Sequence, residues 1–243
     1  MSDSPARVLV SVLIPTRNEA DHVEATVAML QAQSVAGPVE FIFIDGRSDD
    51  ETRAILARAA ERDPRIKILD NPARFIPNAL NIGLGAARGD FVARMDAHTR
   101  YPEDYLQRGI GRLEMGDVAW VSGPQLPEGA GRWSRRIALA LSGPLGIGGA
   151  EFRKPTSREI ETDSGFTGLW RRVTLLEHSG WDERWQINED AELAARIRAS
   201  GGRIVCLPEM AARYIPRESL GALARQYWRY GRYRALTSLE HPE

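Results

Sequence analysis

The residues best suited to chemistry in this chain fall in four short clusters: Thr16-Arg17-Asn18-Glu19, Asp45-Gly46-Arg47-Ser48-Asp49, Asp96-Ala97-His98 and Asn188-Glu189-Asp190. Asp96 and His98 stand two apart, so on an extended segment both side chains point to the same side. A carboxylate oxygen with an imidazole nitrogen suits Mn²⁺ or a similar transition ion better than Mg²⁺, which favours all-oxygen shells. The same imidazole serves equally well as a donor to a diphosphate or to a backbone group. Glu189 and Asp190 are an acidic pair able to supply a general base. On residue chemistry alone the plainer reading is favoured there, because acids in a first helical turn complement the helix dipole and Asn188 reads as an N-cap. Turn chemistry accounts for any single one of the other clusters too, with Asp49 ahead of Glu51 as a reasonable cap. Three such clusters at equivalent positions are harder to assign to turns.

Those positions are the ends of strands. Val8 to Ile14, Glu40 to Ile44, Ile66 to Leu69 and the run GDFVARMD have the apolar, β-branched character of buried strands. Helical spacing predicts helices over Glu19 to Gln33, Asp49 to Arg62 and Pro77 to Ala87, with another opening at Pro102. The alternation predicts an α/β fold, a parallel sheet covered on both faces, in which ligands sit at the carboxyl ends of the strands. The second half is less regular. Asp117 to Ser122 and Arg203 to Leu207 read as strands, with helices at Trp133 to Leu141, Arg172 to His178, Asn188 to Ser200 and from Ser219 onward. Between them, residues 124–164 form a long Gly- and Pro-rich stretch of the kind that usually carries function. One domain over 1–243 is expected, a regular half (1–122) followed by an irregular one (123–243).

Composition narrows the classes. A net charge of −1 with interspersed signs gives no field for nucleic acid. Cys206 is the only cysteine, so no internal disulfide forms and a reducing compartment is expected. Met1 to Arg7 leads straight into a strand-like run without a leader pattern, and RIALALSGPLGIGG is too short and too broken to span a bilayer. Neither a GxGxxG after the first strand nor a P-loop is present; PTRNEA stands there instead. A nucleotide would then be held by its base and ribose at the first two strand ends, with its diphosphate bridged by a cation at Asp96.

The segments VSVLIPTRNEADHV, FIFIDGRSDDET, NALNIGLGAARGDFVARMDAHTRYP, GFTGLWRRVTLLEHSGWDERWQINEDAELAARIRASG and QYWRYGRYR, in that order, resemble the inverting family 2 glycosyltransferases of GT-A fold. The subgroup most similar is that of succinoglycan-type enzymes, which add glucose to a lipid-linked saccharide and whose metal motif also looks like DAH. The resemblance implies a Rossmann-like, mostly parallel sheet with helices on both faces and an irregular acceptor-binding half. It implies that Pro15, Thr16 and Glu19 line a uridine pocket, that Asp45 contacts the uracil, and that Arg74, Asn81 and Gly83 lie near the ribose and diphosphate. Asp96 and His98 match the Asp-x-Asp metal motif with His98 in place of the second acid. Asp190, beside Glu189, matches the general base, and the helix dipole is expected to lower its pKa, leaving it to work through placement.

The expected activity is transfer of a hexose, glucose first among candidates, from a UDP-sugar to a saccharide or lipid-linked saccharide in polysaccharide biosynthesis. The alternative is a nucleotide-sugar-binding protein of the same fold without turnover; a nucleotidyltransferase is disfavoured for want of its Gly-rich loop. The expected setting is cytoplasmic, at or near the inner face of a membrane. Arg213, Arg217, Arg225, Arg229, Arg232 and Arg234 make the C-terminal end basic, and either a peripheral contact with anionic lipid or a solvated face accommodates them. Leu220, Leu223, Tyr227 and Tyr230 read as a buried stripe on that last helix. Trp133, Trp170, Trp181 and Trp185 read as core or sugar-stacking aromatics, with Trp181 favoured as core.

Overall fold

A computed structural model describes residues 8–129, 131–142, 157–216 and 219–240. The N-terminal half alternates as its apolar pattern requires: β1 (Val10–Thr16), α1 (Val23–Gln31), β2 (Val39–Asp45), α2 (Thr52–Arg62), β3 (Ile66–Asp70), α3 (Ile76–Ala86) and β4 (Phe91–Arg94). There follow β5 (Thr99–Arg100), α4 (Tyr105–Glu114), β6 (Trp120–Ser122), β7 (Gln125–Pro127) and α5 (Arg132–Ser142). The chain ends in β8 (Ile160–Glu161), β9 (Gly168–Arg171), α6 (Arg172–Glu177), α7 (Glu189–Ala199), β10 (Ile204–Cys206), β11 (Ala212–Tyr214) and α8 (Leu220–Glu240). Much of the expected long loop, residues 130 and 143–156, lies outside the described residues.

Eight strands form one sheet in the order β3-β2-β1-β4-β9-β6-β10-β8, and β5-β11-β7 form a smaller one. Strands β3, β2, β1 and β4 are mutually parallel. β9 enters antiparallel between β4 and β6, and β10 then runs parallel to β6. Such a sheet must be apolar on both faces, and the strands comply. Val10, Val12, Ile14, Phe41 and Phe43 face a core shared with Val23, Leu30, Leu56 and Leu106. Leu13, Ile42 and Ile44 face the opposite core, with Leu80, Leu84, Leu193 and Ile197. The helices therefore cover both faces and leave the strand ends open.

Two capping expectations change. The N-cap of α2 is Glu51, not Asp49, and it makes no side-chain capping bond; Asp50, before it, accepts the Thr52 N–H on Oδ1 at 3.0 Å. Asn188 precedes α7 in a left-handed conformation (φ 70°), not the extended one that N-cap residues adopt, and makes no side-chain capping bond.

Candidate active site

The parallel register sets three polar residues in a row. Thr16 pairs with Asp45 across β1–β2, and Asp45 with Asp70 across β2–β3. β4 reaches the same edge: Arg94 pairs with Leu13, the Met95 N–H donates to the Leu13 carbonyl, and Asp96 follows. Non-glycine residues with positive φ collect here, Asn18 (54°), Arg47 (55°) and Arg74 (65°) after the first three strands and Asn188 before α7. Backbone held in that sparsely populated region persists only where the surroundings impose it, and such residues gather at ligand-binding edges.

Thr16 is buried and donates to the Ile14 carbonyl at 2.9 Å, with Pro15 beside it in β1. Asp45 is fully buried; Ser48 Oγ donates to it at 2.6 Å and Arg53 Nη1 pairs with it at 3.2 Å. The Ser48 N–H also lies 3.3 Å from both carboxylate oxygens, so Asp45 is well supplied with donors and a base N–H would have to displace one of them. Arg74 is exposed in the loop after β3, its N–H donating to the Asn71 carbonyl at 3.1 Å. Asn81 and Gly83, expected near the ribose and diphosphate, are committed to the body of the fold. Asn81 clamps the turn before α7, accepting the Trp181 N–H at 2.9 Å and donating to the Trp181 carbonyl at 2.7 Å. Gly83 packs on the sheet, where a Cβ would press on Leu13 and Ile44.

At the β4 end, the Asp96 N–H donates to the Tyr101 hydroxyl at 2.9 Å and its Oδ1 accepts from Arg94 Nε at 3.2 Å. His98 Nδ1 lies 3.1 Å from Glu19 Oε1. Glu19 thus turns towards the β4 end instead of lining a base pocket alone. A carboxylate on one ring nitrogen is the arrangement that orients a metal-binding imidazole and raises its basicity. Among the described residues no three His, Cys, Asp or Glu side chains form a ready metal group. A cation at Asp96 and His98 would therefore complete its shell with diphosphate oxygens and water, and the two side chains fit that role.

Arg94, which the sequence reading passed over, is the centre of the site. It is 1% exposed, and besides Asp96 its Nη1 pairs with Glu189 Oε1 at 2.9 Å. The two acidic clusters, far apart in sequence, meet on this one guanidinium. The signal was available: a cation inside an apolar parallel strand has to find buried partners. Asp190, half-buried beside Glu189, accepts the Ala191 N–H at 2.8 Å. Burial of its carboxyl and the adjacent Glu189 charge push its pKa up to about 7, against the opposing pull of Arg94. The expected lowering by the helix dipole is thus reversed, because desolvation and a like charge outweigh a terminal dipole.

Trp120 of the first half packs in the core with Trp170 and Trp181 of the second, with successive centroids 4.7 and 5.7 Å apart. Trp185 is also buried, whereas Trp133 is exposed. The expected stripe on α8 is not buried throughout: Tyr227 and Trp228 are exposed, and Tyr233 is the residue that meets Trp185 edge-on at 6.4 Å. Of the stripe, Leu220 and Tyr230 have side chains outside the described set. No helix of the described residues is long and apolar enough to cross a membrane.

Comparison with known proteins settles the family, since the sequence model of glycosyl transferase family 2 matches residues 11–176. The chain is a family 2 glycosyltransferase. Among curated relatives it is 35% identical over 233 residues to the succinoglycan biosynthesis protein ExoA of Rhizobium meliloti, covering 95% of this chain and 70% of that one. It is 28% identical to ExoO of the same organism, covering 89% of this chain and 62% of that one. Among solved structures, a Pyrobaculum calidifontis mannosyltransferase in complex with GDP-Man and Mn²⁺ superposes with a TM-score of 0.72 at 20% identity, over 99% of this chain and 69% of that one. S. aureus TarS 1-349 in complex with UDP-GlcNAc gives 0.68 at 16% identity, over 97% and 68%. The family 2 chain described here therefore has the GT-A fold.

Proposed function

We propose that this glycosyltransferase moves a hexose, glucose first among candidates, from a UDP-sugar to a saccharide or lipid-linked saccharide acceptor with inversion, in polysaccharide synthesis. The observation that carries the reading is the Arg94 bridge, which brings the acidic start of α7 to the edge where Thr16, Asp45 and Asp96 line up. Thr16 and Asp45 recognise the base, and Arg74 reaches the diphosphate. Asp96 and His98 hold a divalent cation, Mn²⁺ in preference to Mg²⁺, with Glu19 orienting the imidazole. Bound there, the cation would offset the charge that grows on the UDP leaving group.

Glu189 is held as the ion partner of Arg94, so proton transfer falls to Asp190. Its carboxylate takes the acceptor hydroxyl proton while that oxygen forms the new bond to the anomeric carbon. The bond from that carbon to the diphosphate breaks on the opposite face, and its electron pair leaves with UDP. The succinoglycan-biosynthesis relatives support a polysaccharide acceptor; solved neighbours hold GDP-Man in one case and UDP-GlcNAc in another, so the uridine choice rests on the motif resemblance. Exposed Trp228 and Leu239 beside exposed Arg225 and Arg232 on α8 support a peripheral contact with the inner face of a membrane.

UDP release from UDP-glucose, with Mn²⁺ and saccharide acceptors, is the direct test. Asp190→Asn is expected to lower turnover by about 10² to 10⁴ while leaving UDP affinity by calorimetry nearly intact. Chelator is expected to abolish turnover, and His98→Asp to move metal preference towards Mg²⁺. Tighter binding of GDP than UDP would overturn the base assignment. UDP binding without turnover under any condition would leave a nucleotide-sugar-binding protein.

A further inference from the structure

A buried arginine needs partners, and the identity of those that Arg94 has chosen is informative. Its guanidinium carbon lies 5.3 Å over the Phe166 ring, and its side chain is 2% exposed. One edge reaches Asp96 at 3.2 Å, the other Glu189 at 2.9 Å. Asp96 belongs to the donor end of the site; Glu189 is bonded through the backbone to Asp190. The segment carrying Phe166 is tied to the same centre, since Thr167 meets the Tyr105 hydroxyl at 3.3 Å and Tyr105 packs edge-on against Tyr101, whose hydroxyl holds the Asp96 N–H. Arginine suits this post where lysine does not, because its planar fork can serve two carboxylates at fixed positions and stack on an aromatic ring.

We propose that Arg94 is a positioning residue that couples occupancy of the donor end to the placement of Asp190. This rests on the reading of the site given above. In the structure described, Arg94 divides its charge between Asp96 and Glu189. A cation bound beside the donor would draw on the Asp96 carboxylate, its hold on Arg94 would weaken, and the guanidinium would be left to Glu189. The start of α7, which otherwise enters through the strained Asn188, is then fixed against β4. Coupling between binding sites is reciprocal, so a well-set α7 start in turn favours the donor.

The consequence is measurable without knowing the acceptor. Hydrogen exchange at the amides of residues 188–192 is expected to slow when UDP and Mn²⁺ are added to the wild-type chain. Arg94→Lys keeps the charge but not the fork, and is expected to bind UDP while losing most of that slowing. With UDP-glucose, Arg94→Lys is expected to lower kcat about tenfold or more with donor KM within about threefold, the pattern of lost transition-state placement. Arg94→Met combined with Glu189→Gln removes the cation and one of the carboxylates it would strand, and is expected to show the same uncoupling if Arg94→Lys folds poorly. Slowing retained in these variants, or UDP binding to the wild type without any change at 188–192, would overturn the inference and leave the donor edge standing. Failure of the wild type to bind UDP or GDP with either metal would overturn the donor reading and the coupling with it.

Discussion

Two carboxylates adjacent in sequence do different work because their surroundings differ. Glu189 pairs directly with the Arg94 guanidinium, while for Asp190 the more distant pull of Arg94 and a backbone N–H do not offset burial and its neighbour's charge, and its pKa rises to about 7. A base must be deprotonated, so turnover is expected to climb as pH rises through about 7 and to plateau above it. The same shift has a cost in stability. The folded state holds the Asp190 proton where the unfolded chain has lost it, so this residue's contribution falls as pH rises from about 4 to about 7. Asp190→Asn is therefore expected to melt higher than wild type at pH 8, with the gap closing as pH falls towards 4, while turnover is lost. Equal melting at pH 8, or a turnover limb well below pH 6, would contradict this account. Asp45, Asp96 and His98 could be placed at strand ends from the apolar pattern alone, whereas Asp190 was singled out by the family resemblance, since residue chemistry favours a first-turn acid there. Arg94 offered only the hint that a charge inside an apolar strand needs buried partners; which partners these are follows from the pairing of β4 on both sides. Asn81 carried a matching motif, yet its amide holds the Trp181 turn, a contact between distant segments that spacing does not reveal.

At the scale of elements, the parallel block was readable because runs such as EFIFID are apolar on both faces and the helices between them keep their periodicity. The short strands of the second half have too few residues for a period, and neither the direction of β9 nor its place between β4 and β6 follows from local pattern. β9 matters because its first residue, Gly168, pairs with Arg94. Gly168 has φ 153°, and a Cβ there would collide with the Val121 carbonyl oxygen and the Trp120 indole nitrogen. Gly168→Ala is expected to destabilise the fold by about 3 kcal/mol, the upper range for overpacking, since backbone on the neighbouring strand cannot yield as a side chain does. Denaturant unfolding measures the loss. Its transmission to Arg94 should also lower turnover beyond the loss of folded protein. A variant as stable as wild type would show that β9 shifts freely against β6.

The whole molecule behaves as one unit if the sheet is what joins its halves. β4 and β6 belong to residues 1–122, yet β9 from the second half lies between them, and β6 also pairs with β10. Trp120 of the first half is stacked on Trp170 of the second. Separating the halves would expose Trp120 and the pairing edges of β4 and β6, the kind of apolar, unpaired edge that drives aggregation. Residues 1–122 expressed alone are therefore expected to lack a cooperative transition and to aggregate, although they contain every strand end that the proposed function assigns to the nucleotide. For the full chain, tryptophan fluorescence and far-ultraviolet circular dichroism are expected to report coincident denaturation curves. The indoles of the stack span both halves, so their environment cannot change without the backbone of each. Two separated transitions, or a fragment 1–122 that unfolds cooperatively and binds UDP, would mean that the nucleotide-binding half is a domain in its own right, with β9 merely docked against it.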